Sequence, residues 1–216
     1  MTAPDKVLAM ELLFNVIPPA LQLRPSLYVL ASLMMFELTL DYGVTTFSCK
    51  SYVDVGITQS PALNDFSMGY RLGKAAFRLL DRLDAELMKP AVYFGFTFTS
   101  YRNAHFREAV QYYDLAYSDG RRTGDIQHAA YARAHKIHLY LHVGKNLSEC
   151  DKEIEDTINF LTEAKAGMPL LLATIIRYMV DKYRSDQEIA CADGLCPRIA
   201  EIKCPSFADN IVHSIA

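Results

Sequence analysis

Apolar positions recur at helical spacing over most of this chain. In FSMGYRLGKAAFRLLDRL, Tyr70, Ala76, Phe77, Leu80 and Leu83 fall on neighbouring turns, and Arg71, Lys74, Arg78 and Arg82 mark a wet stripe opposite. Asn64 or Asp65 can cap this helix. FREAVQYYDLAYSDG repeats the pattern through Phe106, Ala109, Tyr113, Ala116 and Tyr117, with Gly120 or Gly124 as its stop. Asp125 then opens DIQHAAYARAHKIHLYLHVGK, closed by Gly144. Ser148 opens SECDKEIEDTINFLTEAKAG, whose early acids and late Lys165 suit the helix macrodipole. A further helix is expected from Pro169 to about Arg184.

Prolines punctuate the pattern at 4, 18, 19, 25, 61, 90, 169, 197 and 205. Proline is tolerated in a first helical turn and breaks an interior, so the intervals between prolines read as helices or helix pairs. One stretch, AVYFGFTFTSY, alternates Val92, Phe94, Phe96 and Phe98 with Tyr93, Gly95, Thr97 and Thr99, which is a strand template. A lone strand among helices would leave its backbone groups unsatisfied, so helix is expected there too.

The helices recur with a period. Phe66 and Phe106 start corresponding helices, placing Gly69 over Ala109, Ala76 over Ala116 and Phe77 over Tyr117, and Ser148 begins the next. Small residues at fixed positions let helix axes approach, and aromatics fill the space beside them. A period of about 34–47 residues built from two helices is the mark of an α-solenoid. Ala109, Tyr113 and Ala116 have the spacing of the second helix of a tetratricopeptide repeat, while the Trp-x2-Leu-Gly-x2-Tyr of its first helix is missing. The expected fold is therefore all-α: antiparallel helix pairs in degenerate tetratricopeptide-like repeats over 1–185, followed by a divergent Cys-containing tail over 186–216.

Composition agrees with a folded helical chain. Of 216 residues 51% are hydrophobic, enough for a sizeable core, and Gly and Pro are scarce. A net charge of −3, from 22 basic and 25 acidic residues, argues against a nucleic-acid binder. Locally the charge is segregated: residues 121–145 hold five basic and one acidic residue, residues 148–165 six acidic and two basic. Neighbouring helices of opposite sign can simply pair, or can present a dipolar docking face. The most apolar run, Leu27 to Phe36, is too short for a bilayer span, which needs about 20 residues; it reads as a buried helix, and no membrane span is expected. No secretory signal is read, because Asp5 and Glu11 interrupt the start. Of five cysteines, Cys49 and Cys150 read as small buried hydrophobes, and Cys191, Cys196 and Cys204 lack the close pairs of a zinc knuckle. A reducing cytoplasm fits.

Chemistry-bearing motifs are sparse. Gly73-Lys74 and Gly144-Lys145 lack the earlier glycine and the following Ser/Thr of a phosphate loop, since Met68, Leu139, Ala75 and Asn146 stand there. Gly-x-Gly-x-x-Gly, Gly-x-Ser-x-Gly, His-Glu-x-x-His and the kinase loops are absent. One constellation remains: His135, His138 and His142 on one helix face, with His128 a heptad earlier and His105 before them. Imidazoles one turn apart can share a divalent metal. No Glu accompanies them at ligand spacing, so packing among Tyr131, Lys136 and Tyr140 is the plainer reading.

Several ordered motifs resemble a known pattern: Ile17-Pro18-Pro19-Ala20, Gly69-Tyr70-x-x-Gly73, and Gly124-Asp125 with Gly144-Lys145 twenty residues on. Together with ELLFNVIPPALQLRPSLYVLASLMMFELTLDYG, YVDVGI and GDIQHAAYARAHKIHLYLHVGKNLSECDKEIE, they look like the tetratricopeptide-like helical region of large signalling kinases of bacteria and fungi. Those proteins join a serine/threonine-kinase-like domain, a STAND/AAA-type ATPase, this helical region, a GAF domain and often a hybrid histidine kinase of a two-component system. The resemblance covers about residues 8–183 and carries over no catalytic residue; the cysteine tail departs from it. It implies a piece of a larger signalling protein whose neighbouring domains are candidate partners.

The function expected from these readings is a non-catalytic interaction and regulatory module, with no cofactor or metal and a protein or peptide as partner. Residue type points to Tyr101, Arg102, Tyr112, Arg121 and Arg122 as contact residues. The alternative is a small all-α metal-dependent hydrolase using the His128–His142 face.

Overall fold

The computed structural model describes Met1, residues 3–100 and residues 106–185. Among these residues the chain is all-α, with nine α-helices, one 3-10 turn and no strand. The first of two compact units, Met1–Asp125, holds α1 (Pro4–Leu23), α2 (Pro25–Tyr42), α3 (Ser48–Leu63), α4 (Phe66–Leu83), the 3-10 turn Glu86–Met88, α5 (Lys89–Ser100) and α6 (Phe106–Thr123). The second, from Ile126 on, holds α7 (Ile126–His142), α8 (Leu147–Glu163) and α9 (Gly167–Ser185). The tail with Cys191, Cys196 and Cys204 lies outside the described residues.

Helices pack on their sequence neighbours as antiparallel pairs: α1 with α2, α3 with α4 and α5 with α6. The pairs are joined laterally by α3, which also meets α2 and α5, and by α5, which also meets α4. In the second unit α7 packs on α8, and α9 lies against both. The alternating aromatic stretch is helix α5, with Phe96 fully buried.

Helix ends follow local chemistry. A single residue, Arg24, separates α1 from α2; Pro25 keeps it out of the helical region, and its φ of −149° and ψ of 84° break the ladder. Asp65 caps α4, its carboxylate accepting from the Met68 amide at 2.9 Å. The helix through Gly120 continues to Thr123, and Gly124 supplies the stop with φ +83°. Asn146, not Ser148, caps α8, accepting from the Ser148 amide at 2.9 Å. Proline punctuation holds at Pro4, Pro25, Pro90 and Pro169 but fails at three others, since α1 runs through Pro18 and Pro19 and α3 through Pro61; Pro197 and Pro205 lie outside the described residues. All three fall in the C-terminal part of a helix. Burial of Ile17 and Ala20 against α2 keeps α1 helical past its prolines.

A constant burial register underlies the repeat. In α4 the buried positions are Gly69, Gly73, Ala76 and Leu80, in α6 Ala109, Tyr113, Ala116 and Gly120, and in α8 Cys150, Ile154, Thr157 and Leu161. Helix α2 obeys the same i, i+4, i+7, i+11 rule with Tyr28, Ser32, Met35 and Thr39. The repeat thus extends back to α2, where the sequence pattern was hidden by apolar residues on every side. Helix axes close most tightly where α3 meets α4: a Cβ on Gly56 would lie 3.1 Å from the Gly69 carbonyl oxygen and 3.2 Å from its Cα. Any side chain there would have to push the two backbones apart by a few tenths of an ångström.

The apolar run Leu27–Phe36 departs from the buried helix expected. Tyr28, Ala31, Ser32 and Met35 are buried, but Leu27, Leu30, Leu33 and Met34 are exposed: α1 and α3 are the main helices that pack on α2 among the described residues, and they cover part of its surface. Length and composition make α1 the one described helix apolar enough to cross a membrane, with 17% of that stretch buried.

The α2–α3 contact carries a buried polar network. Asp54 is fully buried, and its Oδ1 accepts from the Tyr28 hydroxyl at 3.1 Å and from the Lys50 ammonium one turn earlier on α3. Lys50 is itself 6% exposed. Further along the same seam, Thr39 and Ser48 share a hydrogen bond of 2.8 Å. Burial and the adjacent carboxylate both raise the Tyr28 hydroxyl's pKa well above its ordinary value, so it remains a donor. Removing one member of a buried ion pair strands its partner. Asp54→Ala is therefore expected to lower the unfolding free energy by about 3–5 kcal/mol in urea titration, whereas Lys50→Met with Asp54→Leu should cost far less. An Asp54→Ala loss no larger than that of the double substitution would contradict this account.

Candidate functional site

Of the residues expected to meet a partner, Tyr101 and Arg102 lie outside the described residues. The other three sit on α6. Arg121 is exposed at its C-terminal end. Arg122 is tied down, pairing with Asp119 on its own helix at 3.0 Å and with Glu86 of the 3-10 turn, which also holds Lys89. Tyr112 is half-buried and turned inward, against Phe96 at 4.8 Å and Phe77 at 5.4 Å between ring centroids.

What Tyr112 helps to build is an aromatic box around Lys74. The Lys74 ammonium lies 5.1 Å from the centre of the Phe96 ring, 5.2 Å from Tyr70, and 5.5 Å from both Phe77 and Tyr112. It donates to the Tyr112 hydroxyl at 3.1 Å and approaches Glu108 at 3.9 Å. Three helices supply the parts: α4 gives Tyr70, Lys74 and Phe77, α5 gives Phe96, and α6 gives Tyr112 and Glu108. Gly73 makes room for the floor, since a Cβ there would lie 2.2 Å from the Phe96 ring. Lys74 therefore does not belong to the wet stripe of Arg71, Arg78 and Arg82; only 35% of its side chain is exposed. It stands at the flank of α4 that faces α6.

Partial burial works against the Lys74 charge, but the Tyr112 hydrogen bond and the neighbouring Tyr112 and Tyr70 oxygens outweigh it, and the amine's pKa is raised. The result is a permanent cation on an aromatic floor, with one side open. Such a group can hold a carboxylate or phosphate while the rings beside it receive an apolar or aromatic side chain. Tyr70 and Phe77, one turn to either side of Lys74 on its helix, were the sequence signal for this box; the contributions of Phe96 and Tyr112 required the fold.

The histidine face assembles only in part. His138 and His142 meet, with Nε2 atoms 3.4 Å apart and rings edge to face. His135 stands half-buried beside Tyr131, with ring centroids 6.5 Å apart. His105 lies outside the described residues. Among the described residues no group of three or more His, Cys, Asp or Glu side chains is placed to hold a metal ion. Part of the segregated charge is paired inside the second unit: Arg133 of α7 meets Glu153 of α8 at 3.2 Å, and Asp151 of α8 meets Arg177 of α9 at 3.2 Å. Each such surface pair contributes about 0–1 kcal/mol.

Two measurements follow from these sites. Lys74→Met keeps the apolar stem and removes the charge, so urea unfolding should show a loss of about 1 kcal/mol, with a smaller loss for Tyr112→Phe. A Lys74→Met protein as stable as the parent would sink the box as a structural element. Burial, with the like charge of His138 second, pushes the His135 imidazole down to about 4. The unfolded chain then binds the proton first, near the ordinary His value, so stability is full above that value and is lost as pH falls toward 4. Unfolding free energy should drop by about 1–2 kcal/mol between pH 7 and pH 5 on account of this group, and His135→Gln should flatten that slope.

No family model, curated protein or solved structure matches the chain.

Proposed function

We propose that this chain is a non-catalytic helical-repeat module that binds a protein or peptide partner, with the Lys74 box of α4–α6 and, separately, the exposed Arg121 at the C-terminal end of α6 as its contact residues. One observation carries the reading. The four helices α2, α4, α6 and α8 keep one burial register, while their outward residues differ from repeat to repeat. A scaffold that keeps the same positions buried and varies its surface is the arrangement by which repeat proteins present position-specific contacts. Lys74 and the exposed Arg121 favour an acidic segment, and the rings of Tyr70 and Phe77 favour an aromatic or apolar residue within it. The setting we propose, the regulatory region of an ATPase-containing signalling kinase, rests on the resemblance of ordered motifs alone. In that setting occupancy of the surface would bias kinase output, and the module itself would carry out no reaction.

The test is selection of peptides from a random library on the immobilised chain. Acidic sequences with an aromatic residue should be enriched, and Arg121→Glu should weaken them by about tenfold while leaving the thermal midpoint within about 2 °C. Enrichment of basic or purely apolar sequences, or binding indifferent to Arg121→Glu, would overturn the proposed surface.

A further inference from the structure

Two histidines of α7 bring their ring nitrogens together. His138 and His142 are one turn apart in His138-Leu139-Tyr140-Leu141-His142, so both side chains rise from the same side of the helix. Their Nε2 atoms are 3.4 Å apart, and the rings stand edge to face with an interplanar angle of 89°. That separation is long for a hydrogen bond from an N–H, which is usually about 2.9–3.0 Å. It suits a shared metal ion better. Two imidazole nitrogens, each about 2.0–2.1 Å from zinc and at the tetrahedral angle to one another, are about 3.3–3.4 Å apart.

The surroundings admit a cation. His142 is exposed and His138 half-buried, so the pair is reached from solvent. It also closes the C-terminal end of α7, where the macrodipole favours positive charge. The basic residues nearest along the chain are held elsewhere. Lys136 and Lys145 lie over the Tyr140 ring, at 5.6 Å and 4.0 Å from its centre. Tyr140 is two residues from each histidine and so springs from the opposite side of the helix. Arg133 is drawn to Glu153 of α8. His135, one turn before His138, packs beside Tyr131, and among the described residues no third His, Cys, Asp or Glu joins the pair.

We infer that His138 and His142 form a two-imidazole site for a divalent transition metal, with Zn²⁺ the best match to the distance between their nitrogens. Imidazole selects zinc, copper and nickel over magnesium and calcium, which prefer oxygen ligands. Two histidines at this spacing also hold zinc in helix-borne hydrolytic sites, where a Glu directly after the first His acts as general base. Here that position is Leu139, so the pair binds metal without the base of a hydrolytic centre. The site belongs to the second unit and uses none of the contact residues proposed above.

Calorimetric titration of the metal-free full chain with ZnCl₂ tests this. An equivalent with a Kd of about 10 μM is expected, and excess Mg²⁺ should not displace it. His142→Ala should weaken that equivalent by at least about tenfold, with helical circular dichroism unchanged. Exchanging two neighbours, His142→Val with Val143→His, keeps the histidine count but sets the second imidazole five residues from His138. Residues facing each other on a helix are three or four apart, so the exchange should lose the equivalent as well. It keeps the test decisive if the alanine variant is unstable, and it separates this pair from cysteines and histidines elsewhere in the chain. Zinc binding identical in the parent and both variants, displacement by Mg²⁺, or no binding at about 1 mM ZnCl₂ would overturn the inference.

Discussion

The carboxylate of Asp54 is the fixed point of the first unit. It sits on α3, the helix that α2, α4 and α5 all contact, and it fastens Tyr28 of α2 and Lys50 of α3 at one oxygen. A buried carboxylate is costly unless it is paired and hydrogen-bonded, so the network tolerates little sliding of α2 along α3. Polar contacts elsewhere along the same seam, such as Thr39 with Ser48, fix the same register. An interface of leucines alone would have admitted several registers of comparable energy. On the far side of α3 the constraint changes in kind: Gly56 and Gly69 let backbones touch, and steric exclusion replaces charge as the device that sets position.

The aromatic box follows from that placement. Once Gly69 has seated α4 on α3, Gly73 lies one turn on and leaves space that the Phe96 ring occupies from α5. Phe96 in turn supports Phe77 and Tyr112, and the Lys74 ammonium settles where four rings converge. The site is a product of three helices held by two glycine contacts. Its cation is thereby held in one place by the packing of those helices.

Much of this fold was legible in the sequence because helices with polar outer faces declare their period. Helices α4, α6 and α8 were readable from spacing, and their shared register follows from small residues such as Gly69, Ala76, Ala109 and Ala116. Helix α2 was not, since Leu30, Leu33 and Leu40 fill its outer side and erase the contrast on which periodicity depends. Prolines misled at positions 18, 19 and 61, where tertiary burial outweighed a local break. Lys74 misled in the opposite direction: its spacing placed it among solvated arginines, and only the approach of α5 and α6 reveals that it is largely covered. Lys50 and Asp54, an i, i+4 pair inside SCKSYVDVGI, were the available signal for the buried network, because opposite charges one turn apart in an apolar stretch need each other.

Repeats also explain how an almost neutral chain can carry distinct surfaces. The interior register fixes which positions face inward, so every remaining position is free to take charge, ring or leucine without disturbing the core. In the second unit that freedom is spent on Arg133, Arg177, Glu153 and Asp151, which join helices to one another and leave less charge for an outside partner. In the first unit the box on α4 and α6 combines Lys74, aromatic rings and Glu108, while α2 exposes Leu30, Leu33 and Leu40. Two surfaces of different chemistry therefore arise on one scaffold, one a lysine among aromatic rings and the other a set of exposed leucines. Neither needs a change of backbone, and each can be altered by single substitutions that leave the other intact.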